Sequence, residues 1–375
     1  MPLTARGLNR ATLDRQLLLR REPLGVADAV RRVVALQAQS PASPYLALWN
    51  RVAGFDPADL DTAYAAHEVV KATLMRVTLH AVHAEDYPAF QHAMVGSLRG
   101  SRLHDRRFKD TGLTIADADA LLADVLAFTA EPRTNAEVEA WLEERFGRPV
   151  PRAWWALRTF APVVHAASGG PWSHGHRPAY RAAERRLLGG DAAASVQHLV
   201  RRYLEGFGPA TPQDIAKFTI LRAPVVRQAL AAMAGSLQVH EGPGGTAYYD
   251  VADGALPDDD APAPPRLMAM WDSTLLAYAD RGRIIPDAYR AAVIRRNGDV
   301  LPALLVDGYV AGVWRAVEDG IEVSAFHKLS TAVWRGVRTE AKALIELLAP
   351  REPQVYRRYA RWWDSLPAAE VRLLA

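Results

Sequence analysis

Apolar residues recur at three- and four-residue spacing through the first two-thirds of the chain, the period that lines one face of a helix. Val26, Val30, Val33, Val34 and Leu36 keep that spacing and predict an early helix over about 26–36. Thr134-Asn135-Ala136-Glu137 is a capping box, in which threonine and the glutamate three residues on satisfy each other's orphan backbone donors. It opens a helix carrying Val138, Trp141, Leu142 and Phe146, followed by a helical stretch over 153–160 and a strand-like run over 162–165. The same plan returns later. Thr211 caps a helix with Pro212 at its favoured first position. A second helix over about 224–233 follows, then two strand-like runs, 237–240 and 246–249, around a glycine turn that reads as a hairpin.

Helix, short turn, helix and hairpin in that order is the plan of a winged helix-turn-helix. The N-terminal segment fits it less regularly, with the helix at 26–36, a capped helix opening at Asp56-Pro57, and an alternating run from Val69 to Val82 as wing strands. Three such units in tandem are expected, over 1–112, 113–186 and 187–262. The stretch PDDDAPAPP over 257–265 then breaks the pattern. From 266 to 330 the chain alternates and turns often, with hairpin signals at Asn297-Gly298 and Asp307-Gly308 and strand candidates over 301–306 and 309–314. This predicts a small β-rich unit over 263–375, closed by a helix at about 337–348. The tail combines Arg351, Arg357, Arg358 and Arg361 with Trp362 and Trp363 and reads as a docking element.

Composition narrows the chemistry. Only five of the 45 basic side chains are lysine, at 71, 109, 217, 328 and 342, and the other 40 are arginine. Arginine's planar fork suits phosphate, although a GC-rich genome produces the same bias. The absence of cysteine excludes disulfides, thiolate zinc sites, iron–sulfur clusters and a cysteine nucleophile. No stretch is apolar for long enough to span a bilayer and the start carries no leader-like apolar run, so a cytoplasmic protein with no membrane partner is expected. Walker A, dinucleotide-type glycine, HExxH and GxSxG motifs are all missing. His174 and His176 could share a metal, but no third ligand accompanies them, and neither metal nor cofactor is expected.

Helix-turn-helix units suggest DNA, where phosphate contacts position and base contacts specify. One arginine run holds Arg99, Arg102, Arg106 and Arg107, and another Arg281, Arg283, Arg290, Arg295 and Arg296. From these, Arg281, Arg283, Arg295 and Arg296 are taken as candidate DNA contacts. Arg76, Thr78 and His80 alternate on a candidate strand and would share a face, either towards DNA or in a hydrogen-bonded core. The sequence Leu36-Gln37-Ala38-Gln39-Ser40-Pro41 places two amides near the end of the first helix. Alone, that pair signifies no more than a helix terminus.

Its surroundings say more. LQAQSPASPYLALWNRV from Leu36, Leu74 to Val82, Phe207 to Asp214, Met270-Trp271-Asp272 followed by Asp280-Arg281, and Val306 to Trp314 together resemble the AlkZ/YcaQ family of bacterial DNA glycosylases, in order along nearly the whole chain. The resemblance implies an α+β, mainly α fold: three tandem winged helix-turn-helix units and a C-terminal small β-barrel-like domain, forming a concave channel for duplex DNA. It also implies that Gln37 and Gln39 are catalytic, in the Gln-x-Gln form used on bulky N7-alkylpurines and for self-resistance to DNA-alkylating metabolites. The implied partner is double-stranded DNA carrying alkylated purines.

Two neutral amides can suffice for such a lesion. Alkylation at N7 makes the base cationic, so it leaves as a neutral purine without a protonating acid. What remains is an oxocarbenium-like sugar and a water to be aimed at it. With few lysines and none evidently buried, a monofunctional enzyme is expected. No heptad run suggests a dimer, so a monomer is expected. A non-enzymatic winged-helix regulator, or a protein sequestering the alkylating compound itself, are the competing readings.

Overall fold

The computed structural model describes residues 2–184 and 191–375; the expected boundary at 186/187 lies outside the described residues. Thr4 caps the first helix, Ala5–Arg15, by accepting from the Gly7 N–H. Helix Val26–Val33 buries Val26, Ala29, Val30 and Val33, but it stops before the apolar spacing does. Val34 turns to φ 74°, a left-handed conformation that a β-branched side chain rarely adopts, and the chain leaves as strand Leu36–Gln37. The two glutamines therefore sit on and just beyond a strand, not at a helix terminus.

That strand joins the edge of a three-stranded antiparallel sheet with Leu79–His83 in the centre and Val69–Thr73 outside. Gln37, His80 and Ala72 line up across it, and so do Leu36, Ala81 and Lys71 in the next row. The alternating run over 69–82 thus forms paired strands as expected. Its middle is a tight turn instead: Arg76 and Val77 take φ 53° and 58°, and Thr78 donates its hydroxyl to the Met75 carbonyl. Arg76 and Thr78 lie in this turn, so of the three alternating residues only His80 is on the strand.

The middle of the chain follows its caps closely. Thr134 and Glu137 make the reciprocal bonds that start Asn135–Phe146, and Thr211 and Asp214 do the same for Pro212–Thr219. Helix Ala153–Phe160 leads into strand Val163–Ala166, which belongs to a three-stranded sheet with Ala179–Ala182 and Arg133–Thr134. Helix Ala223–Ala232 leads into the hairpin Leu237–Glu241 with Ala247–Val251.

The C-terminal unit is a five-stranded antiparallel sheet in the order Glu370–Leu374, Gly320–Ala325, Tyr309–Val317, Ala303–Val306, Arg266–Leu267. Its two outer strands do not pair with each other, so among the described residues the sheet stays open and no closed barrel forms. Asp307 and Gly308, with φ 49° and 81°, make the expected tight turn. A side chain at 308 would collide with Asn9 and Leu13 of the first helix. Helix Thr331–Leu348 buries Trp334, Val337, Ala341 and Leu344, and the tail docks with Trp363 buried.

The N-terminal segment shares one core with the C-terminal sheet, in which Leu13, Val30 and Leu46 join Leu304, Trp314 and Val337. Buried ion pairs tie the N-terminal segment to later parts of the chain. Arg51 grips Asp272 through two bonds of 2.9 Å, both side chains being fully buried, and Arg15 grips Asp250 at 2.6 and 2.7 Å. Arg6 and Arg10 both hold Asp307 at the tight turn.

Candidate active site at the edge of the first sheet

Gln37 faces inward, 3% exposed, while Gln39 is exposed two residues later. The pairing of Leu36–Gln37 with the central strand, continued by the Ala38 N–H to the Leu79 carbonyl at 2.8 Å, fixes both positions. Gln37 Oε1 accepts from Arg76 Nη2. Because arginine carries only donors, this contact fixes the orientation of the Gln37 amide. Gln39 Oε1 accepts from the Leu79 backbone N–H at 3.3 Å, which leaves its second lone pair free.

Gln39 stands on the rim of a cavity of about 190 Å³ lined by Thr73, Arg102, Trp155, Arg158, His165 and Tyr180 among others. No carboxylate lines it. Arg102 lies over the Trp155 ring at 4.4 Å, and Arg158 donates to Tyr180 Oη at 2.6 Å. These cavity residues went unnoticed in the sequence, except for Arg102 within its arginine run. The i, i+3 spacing of Trp155 and Arg158 was the available signal.

The histidines here are not proton donors at neutral pH. Burial, helped by the charge on Arg76, pushes His80 down to about 3, and burial takes His165 well below the usual imidazole range. His80 Nδ1 lies 3.1 Å from the Thr78 carbonyl, which puts the proton on Nδ1, and its ring packs edge-on to Phe218. With no exposed surface, His80 belongs to the packed core and offers DNA no contact.

The remaining arginine candidates separate. Arg281 is half-buried near Arg76, and burial followed by repulsion from Arg290 lowers its pKa. Arg283 is tied down, donating to the Pro209 carbonyl at 2.9 Å and lying 4.0 Å over the Tyr278 ring. Arg295 lies over Trp362 at 4.6 Å, and Arg296 is exposed. In the earlier run, Arg99 pairs with Asp119 and Arg107 with Asp105, so part of its charge is already answered. His174 is buried, and no cluster of three metal-ligating side chains occurs among the described residues.

Lys71 corrects a sequence inference. It is 4% exposed, and burial lowers its pKa to about 8, the behaviour of an amine fit for imine chemistry. Its strand register places it one row from Gln37 and so on the face opposite that amide, but on the face of Thr73, which lines the Gln39 cavity, and its charge helps to lower His165 there.

Comparison with known proteins decides the family. The model for "DNA glycosylase AlkZ-like" proteins matches residues 30–347. The chain belongs to that family. As a member it is a DNA glycosylase, an enzyme acting on N-glycosyl bonds in DNA. A curated relative, the interstrand DNA cross-link repair glycosylase of Streptomyces sahachiroi, is 24% identical over 358 residues, covering 88% of this chain and 92% of the relative. The solved structure of Streptomyces sahachiroi DNA glycosylase AlkZ superposes with a TM-score of 0.79 at 21% identity, covering 94% of this glycosylase and 99% of that chain. The mixed α and β architecture is therefore that of a known DNA glycosylase. No described helix is long and apolar enough to cross a membrane.

Proposed function

We propose that this glycosylase hydrolyses the N-glycosidic bond of N7-alkylated purines in duplex DNA, with Gln39 aiming the attacking water and Gln37 positioned behind it. The observation that carries this is the chemistry missing from the site. The Gln39 amide stands at the rim with Gln37 buried behind it, no carboxylate lines the cavity, and burial holds the nearby histidines neutral. The cavity lining offers no carboxylic acid and no imidazolium to a leaving purine, and a cationic N7-alkylpurine needs none. The free lone pair of Gln39 accepts from a water and fixes its direction of attack, which is positioning and not proton abstraction.

In this reading the chain comprises three winged helix-turn-helix units, over 1–112, 113–186 and 187–262, and a C-terminal β domain over 263–375 acting together as a monomer on DNA. Arg76, bonded to Gln37, Thr78, lining the cavity with Gln39, and Arg281, Arg295 and Arg296 are the DNA contacts of this reading, while Arg283 supports the fold. The relative's name and the exposure of Gln39 favour bulky adducts, including interstrand cross-links, and the Gln-x-Gln form extends this to self-resistance against an alkylating metabolite. In this reading the enzyme is monofunctional, because Lys71 faces away from Gln37 and lines no part of the cavity beside Gln39.

Duplexes bearing defined N7-guanine adducts of increasing size test this. Free modified base and alkali-labile abasic sites are expected from each, and borohydride is expected to trap no covalent enzyme–DNA complex. Binding without base release would favour the regulatory reading, and a trapped complex would assign Lys71 a catalytic role.

A further inference from the structure

Arg10, Arg15 and Arg51 are buried, and each has a carboxylate: Asp307, Asp250 and Asp272. Arg76 does not. Its guanidinium lies 5.1 Å over the Phe218 ring and gives Nη2 to the neutral Gln37 amide. Its Nη1 is shut off from solvent with no hydrogen-bond partner, and no described carboxylate pairs with it. The charge that acts on it is another cation, Arg281, and burial with that repulsion pulls the guanidinium down to about 9, so it remains charged at neutral pH. The turn that holds it has two consecutive non-glycine residues in the left-handed region, Arg76 and Val77. Such strained positions cluster at functional sites, where surrounding structure maintains them.

An uncompensated buried cation is unfavourable anywhere in a protein. Here it also opposes the reaction, because a cationic base and an oxocarbenium-like sugar would both be repelled by it. An anion at Nη1 removes both difficulties, and the substrate carries one at every nucleotide. Arg76 keeps some exposed surface although Nη1 is covered, so a small shift of its turn lets a phosphate oxygen reach Nη1 while the other arm of the fork, Nη2, holds Gln37. Arg281, whose charge already acts on Arg76, adds attraction for the same anion.

We propose that the missing counter-ion of Arg76 is a backbone phosphate of the lesion-bearing strand, and that Arg76 thereby couples the position of that phosphate to the orientation of the Gln37 amide. Arg76 is on this account a phosphate-binding and positioning residue. The proposal rests on the reading of Gln37 and Gln39 as the active site, and its test separates the two.

Binding of Arg76→Met to undamaged duplex is measured against salt, which needs no excision. The slope of log affinity on log salt is expected to fall by about one relative to wild type, the signature of one lost phosphate contact. Arg76→Lys, which keeps the charge, is expected to retain the wild-type slope. Single-turnover excision is then followed on N7-methylguanine duplexes in which one flanking phosphate at a time is a neutral methylphosphonate. One position is expected to slow wild type by at least about tenfold and to leave the already slow Arg76→Met unaffected. An unchanged salt slope in Arg76→Met, or a scan with no sensitive position in wild type, would overturn the proposal. So would a methylphosphonate that slows variant and wild type equally. A wild type that binds with the expected slopes but excises nothing would instead refute the functional reading. Thermal unfolding of both variants confirms that they fold.

Discussion

Gln39→Ala is expected to fold like wild type, to keep its affinity for lesion-bearing duplex, and to lose most of its base release. The side chain is exposed and its one bond, to the Leu79 N–H, can be replaced by water, so stability should stay within about 0.5 kcal/mol. An aimed dipole in a preorganised site contributes about 2.7–4 kcal/mol to catalysis, or about 10²–10³ in rate. Single-turnover excision of N7-methylguanine, set beside a binding isotherm, reads both quantities. Wild-type rates in Gln39→Ala would remove the amide from the mechanism. Gln37→Ala should behave differently, because it leaves Arg76 without its one polar contact and so lowers stability as well as rate.

The largest effect on the fold is expected at Asp272. Removing one member of a buried ion pair leaves the other charge unanswered and costs about 3–5 kcal/mol. In Asp272→Ala the stranded charge is Arg51, whose guanidinium is fully buried and would keep only the Ala47 carbonyl, Thr274 and Gln16 as acceptors. The Thr274 backbone N–H would also lose its acceptor. Urea unfolding should show the midpoint falling by an amount equivalent to that energy with excision lost in proportion to the folded fraction. A change below about 1 kcal/mol would mean that Arg51 finds relief elsewhere.

That pair explains what the family-resembling stretches do. Arg51 is the penultimate residue of the stretch that begins at Leu36, and Asp272 ends Met270-Trp271-Asp272. Asp214, from the stretch beginning at Phe207, caps its own helix and accepts from the Ala279 N–H, and Asp307 takes Arg6 and Arg10. The stretches join distant parts of the chain around the glutamines. Such pairings link residues from 65 to 301 positions apart, and nothing local in the sequence encodes them.

Local chemistry was legible where local chemistry decides. Thr134 and Thr211 start helices because their bonds lie within one turn, and Asp307-Gly308 turns because its backbone needs positive φ. Periodicity failed where tertiary packing overrode it. The apolar spacing continues through Val34 and Leu36, yet Leu36 is needed opposite Ala81 in a sheet and the helix ends early. Alternation likewise could not show that Arg76 and Thr78 lie in a turn. The Gln-x-Gln pair was legible only through family resemblance, and the burial of Lys71 was hidden because it depends on a neighbouring strand and sheet. The C-terminal sheet was readable as strands, but its open edge was not.

The central claim is that the lesion's own positive charge activates the bond and that neutral amides supply the rest. A duplex containing 7-methyl-7-deazaguanine tests it directly, since that base has the shape of N7-methylguanine and the same glycosidic bond without the charge. Wild type is expected to bind both duplexes with similar affinity, to release N7-methylguanine, and to leave the deaza base in place. Release of both bases at comparable rates would contradict the account and require an acid that this site does not contain.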